Sequence, residues 1–179
     1  MDKNASYKNM LTNSMTELGK KNNTIFIGQQ LLWYGNPMSS TVVNVPKEKL
    51  IEVPVMEESQ MGMSLGMAMT GKFVITFYPR WDFLLCATNQ LVNHLDKLEL
   101  MSNGKWTPNV IIRVGKGSTK PLDPGWQHRG DYSDSFNLML ERCRIFELTS
   151  SDMIMSTYEQ AYEIGGVNLI MEYPELYSN

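Results

Sequence analysis

The sequence lacks the features that mark several specialised classes of protein. Its two cysteines, Cys86 and Cys143, share no metal-site spacing, so we expect both to be reduced core residues. The 16 basic residues form no block among 19 acidic ones, which argues against a nucleic-acid surface. No apolar run approaches the length of a membrane span, and the N-terminus has no apolar segment of the signal-peptide kind. The sequence therefore predicts a cytoplasmic protein.

What is present is a regular alternation of apolar strands with helical segments. With 179 residues, 42% of them hydrophobic, the chain is large enough for one well-buried core, and we expect a single domain over residues 1–179. The alternation predicts a three-layer α/β fold, a mostly parallel sheet with helices on both faces. Strands are predicted at 24–28, 50–55, 72–78, 109–114, 145–148 and 167–172, and helices at 4–20, 58–69, 81–101, 131–143 and 151–164. The long helix is expected to turn Leu84, Leu85, Leu91, Leu95 and Leu98 inward.

The stretch 54–71 places two adjacent acids, Glu57 and Glu58, between a strand and a helix. That helix carries Gly62 and Gly66 on one face, although each helix-interior glycine costs roughly 0.8–1 kcal/mol relative to alanine. We expect another backbone to approach this face closely, which would place the acids at an interface. On spacing alone, the acids are equally consistent with complementing the helix dipole, worth about 0.3–1 kcal/mol.

Two further segments follow predicted strands, where parallel sheets bind ligands. His128 lies in a turn-rich loop, where a solvated histidine is as consistent with its position as a functional one. Arg80 and Phe83 open a helix, and the aromatic ring there either forms a stacking wall or packs in the core. The glycine-rich segment 115–120 does not match a phosphate-binding loop, because Val110 stands where that motif needs glycine.

The residues after Glu57 keep a characteristic order. Glycines follow it by five, nine and fourteen residues and an aromatic residue by twenty-six, with a Met-Ser-x-Gly segment further on. This order resembles the pyrimidine-binding domain of thiamine diphosphate enzymes, above all the beta subunit of the decarboxylating component of 2-oxo acid dehydrogenases, and more distantly transketolase. The matching positions are Gly62, Gly66, Gly71, Asp82, Phe83, Gln90, Asn93, Lys97, Met101–Gly104, Arg113, Gly117, Gln127, His128, Glu172, Leu176 and Tyr177.

The resemblance implies a role for each candidate residue. Glu57, rather than Glu58, would hydrogen-bond the aminopyrimidine ring of thiamine diphosphate and so promote formation of the cofactor's carbon nucleophile. Phe83 would stack on that ring, with Arg80 as a further cofactor-binding residue. His128 would face the reacting centre and stabilise or protonate intermediates.

Four departures from the family pattern bear on the site and its partners. The acidic residues that usually follow the first strand are replaced by Gln29 and Gln30, and Arg129 and Gly130 replace Ser-Gln after the histidine. The Gly-Asp-Gly motif that holds magnesium and the diphosphate in the family is missing from the sequence, as is the family's C-terminal third domain. The resemblance thus implies an alpha-type partner subunit that carries the diphosphate and magnesium site. The chain should be inactive alone, and self-association is expected across the Gly62/Gly66 helix.

These expectations leave three functions open. The first is cleavage of a C–C bond next to the carbonyl of a 2-oxo acid, with decarboxylation and acyl or aldehyde transfer. The second is a transketolase-like transfer of a ketol unit, in which Arg80 and Arg129 would hold a sugar phosphate. The third is a scaffold or regulatory module that keeps the fold without catalysis.

Overall fold

The structure is a computed structural model that describes residues 6–120 and 122–178, and it is organised around one sheet of six parallel strands. The strand order is β2-β1-β3-β4-β6-β5, and every neighbouring pair is parallel. This confirms the predicted α/β architecture. The strands are β1 (Thr24–Gly28), β2 (Leu50–Glu52), β3 (Phe73–Tyr78), β4 (Asn109–Gly115), β5 (Arg144–Glu147) and β6 (Val167–Glu172).

Helices cover both faces of this sheet. Within the described part of the chain, none of them is both long and apolar enough to cross a membrane. The α-helices are α1 (Tyr7–Lys20), α2 (Glu57–Met69), α3 (Trp81–Leu84), α4 (Leu98–Met101), α5 (Ser133–Met139) and α6 (Ile154–Ile164). Short 3-10 turns lie at Ser39–Val42, Lys47–Lys49, Leu85–Ala87, Trp126–His128, Ser151–Met153 and Pro174–Ser178.

The strands divide the apolar residues between two cores, because successive side chains point to opposite faces. Along β3, Phe73 and Ile75 belong to the core beneath α1 and α6. Val74 and Tyr78 belong to the core beneath α2 and α3. All six residues of β3 are buried, as expected for a central parallel strand covered on both sides.

The predicted continuous helix at 81–101 is wrong in detail. The segment tightens into a 3-10 turn at Leu85–Ala87 and widens into a π-helix at Gln90–Leu95, so a single period of 3.6 residues does not hold along it. Leu85 is consequently exposed instead of inward. Asp96 turns inward after the π-helix and accepts backbone N–H groups from Glu141, Arg142 and Cys143 at 2.7–2.9 Å. This carboxylate ties the helical segment to the start of β5.

The cysteines are free, but only one is close to the predicted environment. Cys86 is exposed, because it lies in the 3-10 turn that breaks the helical period, so its assignment to the core is wrong. Cys143 is partly buried just before β5, and burial of its thiol, reinforced by the charge of Asp96, raises its pKa.

The topology fixes where a ligand would bind. The chain leaves β1 towards β2 and leaves β3 in the opposite direction, towards β4. Their connections therefore diverge at the carboxyl ends of two neighbouring strands. Such a switch point opens a crevice in parallel sheets, and this is where they bind ligands.

Candidate functional site

A cleft of about 360 Å³ lies at this switch point. Its walls come from the segments that follow β1, β2 and β3 and from the C-terminal turn. The lining residues are Gln29, Gln30, Asn36, Pro37, Met38, Val55, Pro79, Arg80, Phe83, Pro174 and Tyr177. The sequence-predicted residues Arg80 and Phe83 are therefore in the cleft itself, whereas Glu57 and His128 are connected to it through contacts with lining residues.

Glu57 is the first residue of α2 and is buried, with 8% of its surface exposed. Its Oε1 accepts a hydrogen bond of 2.9 Å from Nε2 of Gln29, which lines the cleft. Its backbone carbonyl accepts the hydroxyl of buried Tyr78 at 3.1 Å. Glu58, by contrast, is exposed and only receives a long contact of 3.4 Å from Asn89.

Phe83, which lines the cleft, contacts the ring of His128. Their ring centroids are 5.3 Å apart and the rings are tilted by 54°. Arg80 donates from Nη1 to the backbone carbonyl of His128 at 3.1 Å. The Nδ1 atom of His128 is buried, and no described residue forms a hydrogen bond with it. The histidine is therefore held against the cleft wall with one ring nitrogen available.

Close backbone packing holds the loop that carries His128. The N–H of Gly117 donates to the carbonyl of Gly130 at 3.1 Å. A Cβ atom on Gly117 would lie 2.1 Å from the carbonyl oxygen of Arg129, so only glycine allows this approach. The N–H of Gly130 in turn donates to Asp82 at 3.3 Å. The two ends of the loop are thus closed against each other and against the start of α3.

The guanidinium of Arg129, the residue after His128, is already bound by side chains of its own loop. Its Nε donates to Asp123 at 2.8 Å, and its guanidinium lies 4.4 Å from the ring centre of Trp126. Trp126 itself is 87% exposed. Among the described residues, no three His, Cys, Asp or Glu side chains group in a way that would hold a metal ion.

The glycine face of α2 is not covered by its own chain. A Cβ atom on Gly62 would make only ordinary contact, at 3.7 Å, with Gln90, and one on Gly66 would meet nothing within 4 Å. The close backbone approach that the sequence predicts is therefore not made within the described chain. An approach by another subunit stays a prediction.

Comparison with known proteins now bears on this site. No protein-family model matches the chain. The pyruvate dehydrogenase E1 component subunit beta of Cyanidium caldarium is 33% identical over 109 residues, 59% of this chain and 33% of that protein. The 2-oxoisovalerate dehydrogenase subunit beta of Bacillus subtilis is 24% identical over 116 residues, 63% of this chain and 36% of that protein. The chain is a relative of these beta subunits. The predicted resemblance is confirmed.

The relationship covers part of each protein. The matched segment spans about a third of the length of these curated beta subunits. A solved structure named split gene transketolase, inactive beta4 tetramer, matches 95% of this chain and 52% of its own, with a TM-score of 0.74 and 16% identity. At that identity the likeness establishes the fold, which agrees with the sheet described above.

Gln29 is the residue of this site that sequence reasoning missed. From the sequence, Gln29 is noted only as a replacement for an acid of the beta-subunit pattern. The structure shows that its side-chain amide donates a hydrogen bond to Glu57. One signal was available, because Gln29 directly follows β1 and Glu57 follows the neighbouring strand, β2. Residues that follow neighbouring parallel strands lie at the same sheet edge.

Proposed function

We propose that the chain is the pyrimidine-binding, beta-type subunit of a split thiamine diphosphate enzyme that cleaves a C–C bond next to the carbonyl of a 2-oxo acid. The observation that carries the proposal is the convergence of Glu57, Phe83 and His128 on one switch-point cleft. The relationship to beta subunits of 2-oxo acid dehydrogenases supports it independently.

The residues present fit the pyrimidine end of this cofactor. A flat aminopyrimidine needs an aromatic surface and a hydrogen-bonding carboxylate, and half-buried Phe83 in the lining and buried Glu57 behind Gln29 would supply these. The unpartnered Nδ1 of His128 is a further polar atom that a bound molecule would satisfy. When bound, thiamine diphosphate supplies a carbon nucleophile that adds to the substrate carbonyl.

Glu57 would act by exchanging a proton with a ring nitrogen of the pyrimidine. Gln29 donates to one carboxylate oxygen and fixes its orientation, which leaves the other oxygen for the ring. Burial strengthens such a hydrogen bond relative to one in water. The uncharged amide of Gln29 also places no second negative charge beside Glu57.

His128 would handle the proton at the substrate oxygen. Its ring is placed by Phe83, and its backbone carbonyl by Arg80, so the imidazole is oriented before substrate arrives. Arg80 would contribute to the cofactor site in this way, by fixing the loop next to the ring. A positioned imidazole typically contributes 10²–10⁴-fold through acid–base catalysis.

Activity would require a second subunit. We propose an alpha-type partner that holds the diphosphate and most of the magnesium coordination, with the present chain inactive alone and located in the cytoplasm. Gly62 and Gly66 would allow a neighbouring helix, from a copy of this chain, to approach α2 closely. The fold neighbour named above is described as an inactive beta4 tetramer, a state of that protein that accords with a beta chain lacking its partner.

The test begins with the protein purified from its own source with thiamine diphosphate and magnesium present. Native mass spectrometry should show a heteromer with stoichiometric cofactor that turns over a 2-oxo acid. In that complex, Glu57→Gln should lower kcat at least about a hundredfold and leave assembly intact. Glu58→Gln is the matched control, because Glu58 is exposed and outside the cleft, and it should retain full activity.

Three results would contradict the proposal. Full turnover in the Glu57→Gln complex would remove the catalytic assignment. A cofactor-free homomer with no second chain would favour the scaffold or regulatory function. Turnover of a ketose phosphate in place of a 2-oxo acid would favour transketolase-like ketol transfer.

A further inference from the structure

Arg80 is the single charged residue among those that line the cleft in the described part of the chain. The other lining residues are apolar or carry amide or hydroxyl groups, and no carboxylate is among them. Gln29 and Gln30 stand where the beta-subunit pattern has acids, so these two lining positions carry uncharged amides in place of carboxylates. The one charge on the cleft lining is therefore the guanidinium of Arg80, whereas the carboxylate of Glu57 lies behind the lining, hydrogen-bonded to Gln29.

The guanidinium of Arg80 is incompletely used. Its one hydrogen bond goes from Nη1 to the carbonyl of His128, a neutral acceptor. No described Asp or Glu lies within 4.0 Å of it. Arg113, Arg129 and Arg142 each form an ion pair with a carboxylate. A guanidinium carries five N–H donors, so most of those on Arg80 remain for a ligand.

The partly buried charge of Arg80 has fewer hydrogen-bond partners than it can use. Arg80 is half-buried, and the burial lowers its pKa, an effect that the charge of Asp82 opposes. Asp82 is not within ion-pair distance, so the guanidinium forgoes the charge-assisted, bidentate hydrogen bonds that arginine forms best. An anionic ligand in the cleft would supply them.

We propose that Arg80 binds the anionic group of the substrate and thereby selects carboxylate- or phosphate-bearing substrates at this cleft. The inference rests on the proposed function for the meaning of "substrate", but the anion site stands on the cleft alone. Arg129 does not share this role, because Asp123 and Trp126 occupy its guanidinium. The anion is either the carboxylate of a 2-oxo acid or the phosphate of a sugar phosphate.

The experiment is an NMR titration of the full chain with pyruvate and, separately, with inorganic phosphate, following the arginine Nε–H resonances. Saturable shifts of the Arg80 resonance are expected with at least one probe, and the tighter of the two identifies the source of the anion. Arg80→Gln should weaken that binding at least about tenfold, and Arg80→Lys should weaken it less because lysine keeps the charge. Amide spectra of each variant establish that the fold is retained.

Arg129→Gln is the matched control and should leave the dissociation constant unchanged. The proposal is overturned if neither probe binds saturably, or if Arg80→Gln binds as tightly as the unaltered chain. Glu57→Gln should not weaken anion binding. Loss of the anion site with an active complex would therefore refute the role of Arg80 alone, and an intact anion site in a cofactor-free homomer would refute the proposed function alone.

Discussion

Arg113, near the end of β4, and Arg80, just after the neighbouring β3, lie towards the same edge of the sheet, yet their surroundings differ completely. Arg113, near the end of β4, is fully buried and pairs with Glu172 of β6, with Nη2 to Oε2 at 2.9 Å. Nη1 donates to Thr41 at 2.9 Å, and the hydroxyls of Tyr158 and Tyr177 donate to the same carboxylate. We refer to these five residues as the buried network.

The pKa values in the buried network follow from this pairing. Burial alone would lower the pKa of Arg113, but the charge of Glu172 outweighs it and raises the value. Burial raises the pKa of Tyr158 and of Tyr177, and the adjacent Glu172 adds to the effect. Arg113 therefore stays protonated, and Tyr158 and Tyr177 stay neutral, over the physiological range. The network is a fixed structural element, not a titrating one.

Arg80 has none of these partners. Its guanidinium reaches one backbone carbonyl and otherwise faces a cleft. The contrast teaches how structural and functional charges can be distinguished within one molecule. A buried charge with every donor and acceptor satisfied stabilises one arrangement of the chain, whereas a half-buried charge left short of partners is available to a ligand.

The largest expected effect comes from breaking the buried network. Arg113→Met would leave Glu172 buried without its partner, and we expect the free energy of unfolding to fall by about 3–5 kcal/mol. Urea denaturation followed by circular dichroism measures this. Arg80→Met is the matched control at the same sheet edge, with an expected change below about 1.5 kcal/mol, because Arg80 makes one hydrogen bond and no ion pair.

A double variant separates pairing from packing. Arg113→Met combined with Glu172→Leu removes both charges, and we expect it to recover most of the stability lost in the single variant. If the double variant were as unstable as the single one, the loss would come from packing around Arg113 instead of from the unpaired carboxylate.

The second-largest effect concerns the loop that carries His128. Backbone contacts hold this loop in place, whereas paired charges hold the buried network. Gly117→Ala would force a Cβ atom to within 2.1 Å of the Arg129 carbonyl, so the loop must shift, and we expect a loss of about 1–3 kcal/mol. Urea denaturation measures the change. Gly66→Ala is the control, because its site is open, and it should stabilise the isolated chain by up to about 1 kcal/mol. An unchanged stability for Gly117→Ala would show that the loop adapts freely.

The sequence predicts the strands and helices of this molecule better than its polar contacts. The bounds of β1, 24–28, agree with the structure, and α2 begins one residue before its predicted start. Both lie where apolar period and turn residues agree locally. The predicted strand at 50–55 shortens to Leu50–Glu52, and the predicted helix at 131–143 to Ser133–Met139. Element ends depend on hydrogen bonding that periodicity does not encode.

The site shows the same division. Arg80 and Phe83 line the cleft, and Glu57 and His128 adjoin it, since residues that follow parallel strands share one sheet edge. Their catalytic and cofactor-binding roles stay predictions. The pairing of Arg113 with Glu172 was beyond local reasoning, because 59 residues separate them and only the strand order makes β4 and β6 neighbours.

The smallest expected effect concerns an ion pair that is formed but partly exposed. Its setting is intermediate between the buried pair of Arg113 and the unpaired Arg80. Lys116 and Asp131 are 2.9 Å apart, with 27% and 35% of their side chains exposed. The hydrogen bond to Asp131 raises the pKa of Lys116. Burial alone would raise the pKa of Asp131, but hydrogen bonds from Lys116 and Ser133 outweigh it and lower the value.

The sign of the pH dependence follows from these directions. The contribution of Asp131 is complete above its unfolded pKa of about 3.9 and is lost as the pH falls through the lower folded value. The contribution of Lys116 is complete below about 10.4 and is lost only as the pH rises through the higher folded value. Between these limits an exposed pair of this kind contributes about 0.2–1 kcal/mol.

Asp131→Asn tests this window, because the amide keeps an acceptor for Ser133 and removes the charge. The variant should be less stable than the unaltered chain by about 0.2–1 kcal/mol at pH 7, and the difference should begin to shrink as the pH falls below about 3.9 and vanish below the lowered folded pKa of Asp131. Urea denaturation at several pH values measures it, and 1 M salt should shrink the difference at pH 7. A difference that stayed constant down to pH 2 would mean that the hydrogen bonds of Asp131, and not its charge, stabilise the loop. Of the two ion pairs, Arg113–Glu172 and Lys116–Asp131, only the first would then stabilise the fold through its charges.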